Sequence, residues 1–192
     1  MPPKKQRGAP PLRTPRTATP PERIPRVVAA PTLDDHLAIM SRAIFQAGLS
    51  WAMIDARWDA FRAAFDGFRV DVVANYGEGD IERIMAAEGV IHARGKIAGT
   101  IANARALRAL VAEHGSIETY ARSFAGYAAL YADAKQRFAF LGDLSCYYWL
   151  FRTGLPVPPL ERWLEGQDRD HPRMREMVEL GRREGTSPEI TR

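Results

Sequence analysis

The sequence has little cysteine, little histidine and no long apolar run. A single cysteine, Cys146, rules out a disulfide within the chain, and four scattered histidines argue against a tetrahedral zinc site. No segment has the length of a transmembrane helix, and no apolar stretch follows the basic start as a signal peptide requires. We therefore expect a cytoplasmic protein without a membrane partner, a bound metal or a cofactor.

Acidic residues are almost absent from residues 1–31, where Glu22 is the only one. The same segment holds nine of the fourteen prolines and seven lysines or arginines, so we expect a disordered basic tail. The rest of the chain has 20 basic and 22 acidic residues, and the net charge of +4 therefore arises from the tail. Such an arm would add salt-sensitive affinity for DNA phosphates. A tail that only improves solubility is the alternative.

Strand patterns are also missing, because no stretch of useful length alternates apolar and polar residues. Apolar residues instead recur at helical spacing in several segments, which are residues 33–46, 51–65, 97–113 and 144–151. Thr32 is a predicted N-cap, and Ser116 starts a further helix that continues with interruptions to Phe138. We predict an all-α body in which residues 144–151 form the central buried helix.

Residues 81–103 predict two helices joined by a short turn. Gly89 and Gly95 bracket this turn, and apolar residues recur at helical spacing on either side of it. A tight turn of this kind exposes backbone N–H groups beside a helix N-terminus, which suits a phosphate, and Arg94 and Lys96 add cations. An ordinary corner between two helices with glycine caps is the alternative.

A second informative segment, residues 45–51, reads Phe-Gln-Ala-Gly-Leu-Ser-Trp, with a predicted helix break at Gly48. Together with the turn, it resembles the 3-methyladenine DNA glycosylase I family, which belongs to the helix-hairpin-helix glycosylases. The resemblance covers roughly residues 33–155. It implies a helix-hairpin-helix domain over residues 32–155, which binds duplex DNA and turns an alkylated base out of the stack into a pocket.

The resemblance also implies roles for individual residues. Leu49 matches the wedge that enters the base stack, and Trp51 matches the aromatic wall of the pocket. The predicted DNA-binding residues are Leu49, Gly89, Arg94, Gly95 and Lys96, and the predicted pocket residues are Ala43, Gln46, Trp51 and Tyr147. A core aromatic is the alternative for Trp51, and an apolar contact at a helix cap is the alternative for Leu49. Tyr147 and Tyr148 are adjacent, so only one of them can face the pocket.

The chain also departs from the family. Ala43 occupies the position of a family glutamate that hydrogen-bonds the methylated adenine, so specificity for that base is in doubt. Counterparts to the family's pocket aromatics before Phe45, and to its zinc ligands, are missing. Asp143 is the candidate catalytic carboxylate, with a helix N-cap as the alternative. We predict that residues 156–192 form a C-terminal helical extension that packs on the body through apolar contacts in place of the metal.

Two functions therefore compete at this point. One is a monomeric, monofunctional glycosylase that removes an alkylated base in base excision repair, with a specificity altered from 3-methyladenine. The other is a catalytically inactive protein that binds a lesion or a DNA structure. A scaffold that binds a small heterocycle or a protein is a third possibility.

Overall fold

The computed structural model describes residues 28–167, and all regular secondary structure in this range is helical. The predicted all-α class is therefore confirmed for this part of the chain. Ten α-helices follow one another within it: α1 Leu33–Gln46, α2 Trp51–Asp55, α3 Trp58–Ala64, α4 Val70–Val73, α5 Glu78–Met85, α6 Arg94–His114, α7 Ile117–Arg122, α8 Tyr127–Arg137, α9 Asp143–Arg152 and α10 Leu160–Leu164. A short 3-10 turn, Asp66–Phe68, lies between α3 and α4.

Helix α1 has the bounds that the sequence predicts. The Thr32 hydroxyl accepts a hydrogen bond from the Asp35 N–H at 3.2 Å, while the Asp35 carboxylate accepts one from the Thr32 N–H at 2.9 Å. This reciprocal capping box fixes the start of the helix. At the other end, Gly48 has a φ of 82°, a left-handed conformation that costs glycine little. The chain therefore turns sharply immediately before Leu49.

The segment predicted as one helix over residues 51–65 is two helices, α2 and α3. The break falls at Arg57, whose φ of −111° and ψ of 2° are not helical. Ile54 and Phe61 on either side of it are both fully buried. The apolar spacing continues across the interruption, and periodicity alone therefore could not reveal it.

The core is built around α1, which packs against both α6 and α9. Helix α9 is the central buried helix, as predicted, because every residue from Ser145 to Arg152 is buried. Trp149 is the largest side chain that is fully enclosed. No helix among residues 28–167 is both long and apolar enough to cross a bilayer.

The short helix α10 is held against the start of α9. The ring of Trp163 stacks on that of Tyr147 with centroids 4.2 Å apart. The Asp143 carboxylate accepts hydrogen bonds from Trp163 Nε1 at 3.2 Å, from Gln167 Nε2 at 2.5 Å and from the Tyr127 hydroxyl at 2.5 Å. Residues 168–192, including most of the predicted C-terminal extension, lie outside the described part of the chain, as do residues 1–27 of the predicted tail.

A buried hydrogen bond joins α1 to α9. Trp149 Nε1 donates to His36 Nδ1 at 3.0 Å, so this nitrogen carries no proton. Burial lowers the pKa of His36 from 6.5 to about 4, although the nearby Asp35 carboxylate opposes part of the shift. The imidazole is therefore neutral in the folded protein near pH 7.

This arrangement predicts a loss of stability on acidification. Between pH 6.5 and 4, the unfolded chain takes up a proton at His36 that the folded chain does not, so the free energy of unfolding falls by about 3 kcal/mol over that range. His36→Asn keeps an acceptor oxygen for Trp149 and should flatten the fall. Denaturant unfolding at a series of pH values measures it, with the exposed His92→Asn as control. An unchanged pH slope in His36→Asn would contradict the assignment.

Candidate nucleic-acid interface and base pocket

The connection between α5 and α6, residues 86–93, is the turn that the sequence predicts as a phosphate grip. Gly89 has a φ of 81° within it, and a Cβ at that position would lie 2.9 Å from the Cβ of Ala60. Glycine is therefore needed there both for its backbone conformation and for its small size. Gly95, the predicted second boundary of this turn, lies inside the following helix, because α6 already begins at Arg94.

Gly95 and Gly99 lie under an aromatic side chain that the sequence analysis did not identify. A Cβ on Gly99 would be 2.6 Å from the Phe140 ring, and a Cβ on Gly95 would be 3.5 Å from it. Phe140 is 55 % exposed and has a φ of 58°. Among residues 28–167, Phe140 is the large hydrophobic side chain that lies exposed to solvent, and its ring covers the start of α6.

Both candidate cations of the grip have partners within the protein. The Arg94 guanidinium pairs with Glu78 and Glu82 on α5. Lys96 Nζ donates to the Ala47 carbonyl at 2.7 Å and to the Phe45 carbonyl at 3.4 Å. These two carbonyls belong to the C-terminal end of α1, where the last carbonyls of a helix lack partners within the helix. Lys96 therefore ties the start of α6 to the loop that carries Leu49.

Leu49 is half-buried and packs against the core from this loop. Its N–H donates to the Gln46 carbonyl at 3.2 Å, which holds the residue close to the end of α1. Through Lys96, the start of α6 therefore lies beside the loop that carries Leu49 and leads to Trp51. The contact of Leu49 with the core is also what the alternative of an apolar capping contact requires.

The predicted pocket residues on α1 and α2 are buried side by side. Ala43 and Gln46 lie three residues apart on α1, so they share one face of the helix. Gln46 Nε2 donates to Asp55 Oδ1 at 3.3 Å, and the same carboxylate pairs with Arg42 at 2.6 Å. The opposite atom of the amide, Gln46 Oε1, is buried and accepts no hydrogen bond, and the indole N–H of Trp51 is likewise buried without an acceptor.

Tyr148, and not the predicted Tyr147, contacts Trp51. The Trp51 and Tyr148 rings meet edge to face with centroids 5.4 Å apart. The Tyr147 hydroxyl instead donates to the Pro158 carbonyl at 3.0 Å, and its ring is covered by Trp163. Successive side chains of a helix point about 100° apart, so Tyr147 is directed toward α10 while Tyr148 is directed toward Trp51.

Asp143 belongs with Tyr147 in this arrangement. Gly142 is the N-cap of α9 and Asp143 is its first residue, so neither the predicted catalytic role nor the alternative N-cap role describes its contacts. Its carboxylate is occupied by the three donors that fasten α10. Asp55, a carboxylate for which the sequence predicts no role, lies on the same helix as Trp51 and is engaged by Arg42 and Gln46.

Arg152 is the second polar residue that the sequence analysis missed. It is the last residue of the buried helix α9 and is only 2 % exposed. Its guanidinium carbon is 5.6 Å from the Tyr148 ring centroid, while Nε and Nη1 are buried without a hydrogen-bond partner. A charged residue inside an apolar helical run was the signal available in the sequence, because buried arginine is rare unless it is paired.

A separate cavity of about 580 Å³ lies at the other end of α1. It is bounded by residues 28–31, by Leu33 and His36 on α1, by the α6–α7 turn and by the end of α9. None of the predicted site residues lines it. Among the described residues, no group of three or more His, Cys, Asp or Glu side chains is placed to hold a metal ion.

Comparisons with known proteins agree with this architecture. The model of the family described as methyladenine glycosylase matches residues 32–138. DNA-3-methyladenine glycosylase 1 of Escherichia coli is 44 % identical over 61 residues, which cover 32 % of this chain and 33 % of that protein. The Haemophilus influenzae DNA-3-methyladenine glycosylase is 25 % identical over 131 residues, covering 57 % of this chain and 71 % of that protein. The strongest local identity therefore spans about a third of the curated relative.

Solved structures share the fold. A crystal structure of a 3-methyladenine DNA glycosylase I superimposes with a TM-score of 0.57 at 28 % identity, covering 67 % of this chain and 82 % of that chain. The Staphylococcus aureus 3-methyladenine DNA glycosylase I superimposes with a TM-score of 0.60 at 22 % identity, covering 69 % of this chain and 81 % of that chain. The helical architecture is therefore that of the glycosylases named in these structures.

The geometry at Gly89 predicts a localised stability defect. Gly89→Ala forces a left-handed φ on alanine and a contact with Ala60, so the free energy of unfolding should fall by about 1–3 kcal/mol. Gly79→Ala is the matched control, because a Cβ there meets no atom within 4 Å. That change should be neutral or stabilising by up to about 1 kcal/mol, since Gly79 lies within α5. Equal denaturant midpoints for the two variants would contradict the packing described.

Proposed function

We propose, from the premise that this chain belongs to the methyladenine glycosylase family, that it is a monofunctional DNA glycosylase of base excision repair. It would bind duplex DNA through the α5–α6 connection, insert Leu49 into the base stack and hold the extruded base against Trp51. One observation carries the proposal. Lys96, at the start of α6, is hydrogen-bonded to the end of α1, which ties the proposed grip to the loop that carries the proposed wedge.

The proposed chemistry relies mainly on binding and distortion. Breaking the glycosidic bond develops positive charge on the sugar, and a cationic alkylated base is already a good leaving group. Among the described residues, the two carboxylates considered for the site, Asp55 and Asp143, are both occupied by internal donors. Asp55 is the one beside Gln46, and its release from Arg42 would provide a carboxylate on the pocket side.

The base specificity would differ from that implied by the family resemblance. A carboxylate at position 43 would attract a cationic base and accept a hydrogen bond from it, whereas the methyl group of Ala43 does neither. The aromatic neighbour of Trp51 is Tyr148. We therefore propose a glycosylase whose substrate is altered from 3-methyladenine, with the residues around Trp51 selecting the base.

A lesion-binding protein without excision activity is the second candidate. It is favoured by the hydrogen bonds that Asp55 Oδ1 and both carboxylate oxygens of Asp143 already accept, because these oxygens are then less available to position a water molecule or to stabilise the sugar cation. It would use the same wedge and the same DNA surface. The two candidates therefore differ in base release and not in DNA binding.

Base release by the full-length chain distinguishes the glycosylase from the lesion-binding protein. Methylated duplex DNA and duplexes carrying single modified bases are incubated with excess protein, and the liberated bases are separated chromatographically. A glycosylase releases at least one base above the protein-free rate, and Trp51→Ala abolishes that release. Tight, Leu49-dependent binding to every duplex without release of any base would leave the binding protein as the function.

Leu49→Ala tests the wedge. Removing the side chain should weaken binding to a lesion-bearing duplex by at least several-fold more than binding to the matched undamaged duplex, because only an extruded base leaves a gap to fill. Fluorescence anisotropy measures both affinities. Leu33→Ala, which truncates another half-buried leucine at the far end of α1, is the control. Equal losses on the two duplexes would argue against a wedge.

Substitutions of Arg94 and of Lys96 should affect DNA binding differently, because the two side chains have different partners within the protein. The Arg94 ion pairs are exposed and contribute little, so a phosphate can replace the glutamates. Arg94→Ala should therefore lower the slope of log affinity against log salt by about 0.9. Lys96→Met should leave that slope unchanged and reduce the preference for lesion DNA, since it loosens the loop that carries Leu49.

Two variants control this comparison. Arg122→Ala removes an exposed arginine that is paired with Glu118 on α7, and Lys135→Met removes an exposed lysine on α8. Neither should alter the salt slope or the lesion preference. A salt slope that falls in Lys96→Met as much as in Arg94→Ala would show that Lys96 contacts phosphate directly.

A further inference from the structure

The Arg152 guanidinium is buried, and no carboxylate among residues 28–167 pairs with it. Its Nε and Nη1 make no hydrogen bond, and its contact through the guanidinium carbon is with the face of the Tyr148 ring. Leaving a buried charge unpaired is costly, and each unsatisfied buried group in a folded protein requires an explanation. A ligand that supplies acceptors on binding would provide one.

Two of the other unpartnered polar atoms are on residues proposed to hold the base, and a third, His114 Nε2, lies at the end of α6. Trp51, whose indole N–H has no acceptor, meets the same Tyr148 ring that Arg152 contacts. Gln46 Oε1 is the remaining unpartnered atom on the α1–α2 side of the molecule. The unsatisfied groups of Trp51 and Arg152, which both contact the Tyr148 ring, are therefore donors, and the one formal charge among them is positive. Gln46, which is hydrogen-bonded to Asp55 on the helix of Trp51, adds one acceptor.

This set of groups does not suit a cationic N-alkylated base. Two positive charges in a region closed to water repel each other, and such a base offers fewer acceptors than a neutral one. A neutral purine with a carbonyl at C6 and no exocyclic amino group, such as hypoxanthine, offers O6 and N7 as acceptors on one edge and carries a single N–H, at N1, as a donor. Arginine recognises the O6 and N7 pair by two parallel hydrogen bonds.

We propose that Arg152 determines base specificity by reading the O6 and N7 edge of a neutral deaminated purine, hypoxanthine being the simplest, with Gln46 Oε1 accepting from N1. The proposal rests on the proposed function, because it names the base class for the same site. A guanidinium can donate two parallel hydrogen bonds from either of two edges. In Arg152, each of these edges includes one of the unpartnered N–H groups, on Nε or on Nη1. The donors are closed to solvent, so a neighbouring side chain has to move before a base can reach them.

Equilibrium binding to three duplexes tests the proposal without requiring catalysis. The duplexes are identical except for one nucleotide opposite thymine, which is hypoxanthine, 7-deazahypoxanthine or adenine. The 7-deaza base keeps O6 and N1–H and lacks only the N7 acceptor. The full-length protein should bind the hypoxanthine duplex about tenfold more tightly than either of the others.

The Arg152 variants give the second arm of the test. Arg152→Met should bind all three duplexes with equal affinity, and Arg152→Lys, which offers a point charge without the planar fork, should retain only a small preference. Because Arg152→Met removes an unpaired buried charge, its denaturant midpoint should equal or exceed that of the wild type. A residue with a merely structural role would lower the midpoint and leave the base preference intact.

Equal wild-type affinity for hypoxanthine and 7-deazahypoxanthine would overturn the inference, and so would a preference that survives in Arg152→Met. Either result leaves the proposed glycosylase function standing if any base is released in the excision assay. If no duplex is bound at low salt, the proposed function itself falls. The two failures are therefore distinguished by the same set of duplexes.

Discussion

The burial of α1 between α6 and α9 is the constraint on which the rest of the structure depends. Its N-terminal half is joined to α9 through the hydrogen bond between Trp149 and His36. Its C-terminal end is joined to α6 through Lys96, which satisfies carbonyls that a helix end leaves open. Because both ends are fixed, the loop that follows α1 presents Leu49 and Trp51 in a defined place.

The surface proposed to meet DNA is internally paired. Arg94 is held by two glutamates at an exposed position, where exchange for phosphate costs little. Lys96 is held by carbonyls at a half-buried position, and its loss would disturb the loop before it disturbed any contact with DNA. Residues with the same charge, two positions apart, therefore serve different purposes.

The polar groups of α9 divide into two sets. Asp143 and Tyr147 face α10 and fasten it through hydrogen bonds and ring stacking. Tyr148 faces Trp51, and Arg152 contacts the Tyr148 ring. In the first set, both oxygens of the Asp143 carboxylate accept hydrogen bonds. In the second set, Arg152 Nε and Nη1 are buried without a hydrogen-bond acceptor. The second set offers hydrogen-bond donors, and Ala43 adds no carboxylate beside them. Such a region suits a base that carries acceptors.

The sequence by itself determined the helical class, the bounds of α1 and the central burial of α9, and it indicated the family. These follow from local rules of periodicity, capping and glycine conformation, or from a resemblance carried by contiguous motifs. Only the tertiary structure decided that Tyr148 faces Trp51, that Asp143 fastens α10, that Lys96 binds carbonyls of α1 and that Arg152 is buried without a partner. Each of these depends on which side chains from distant helices share one space, and neither spacing nor composition encodes that.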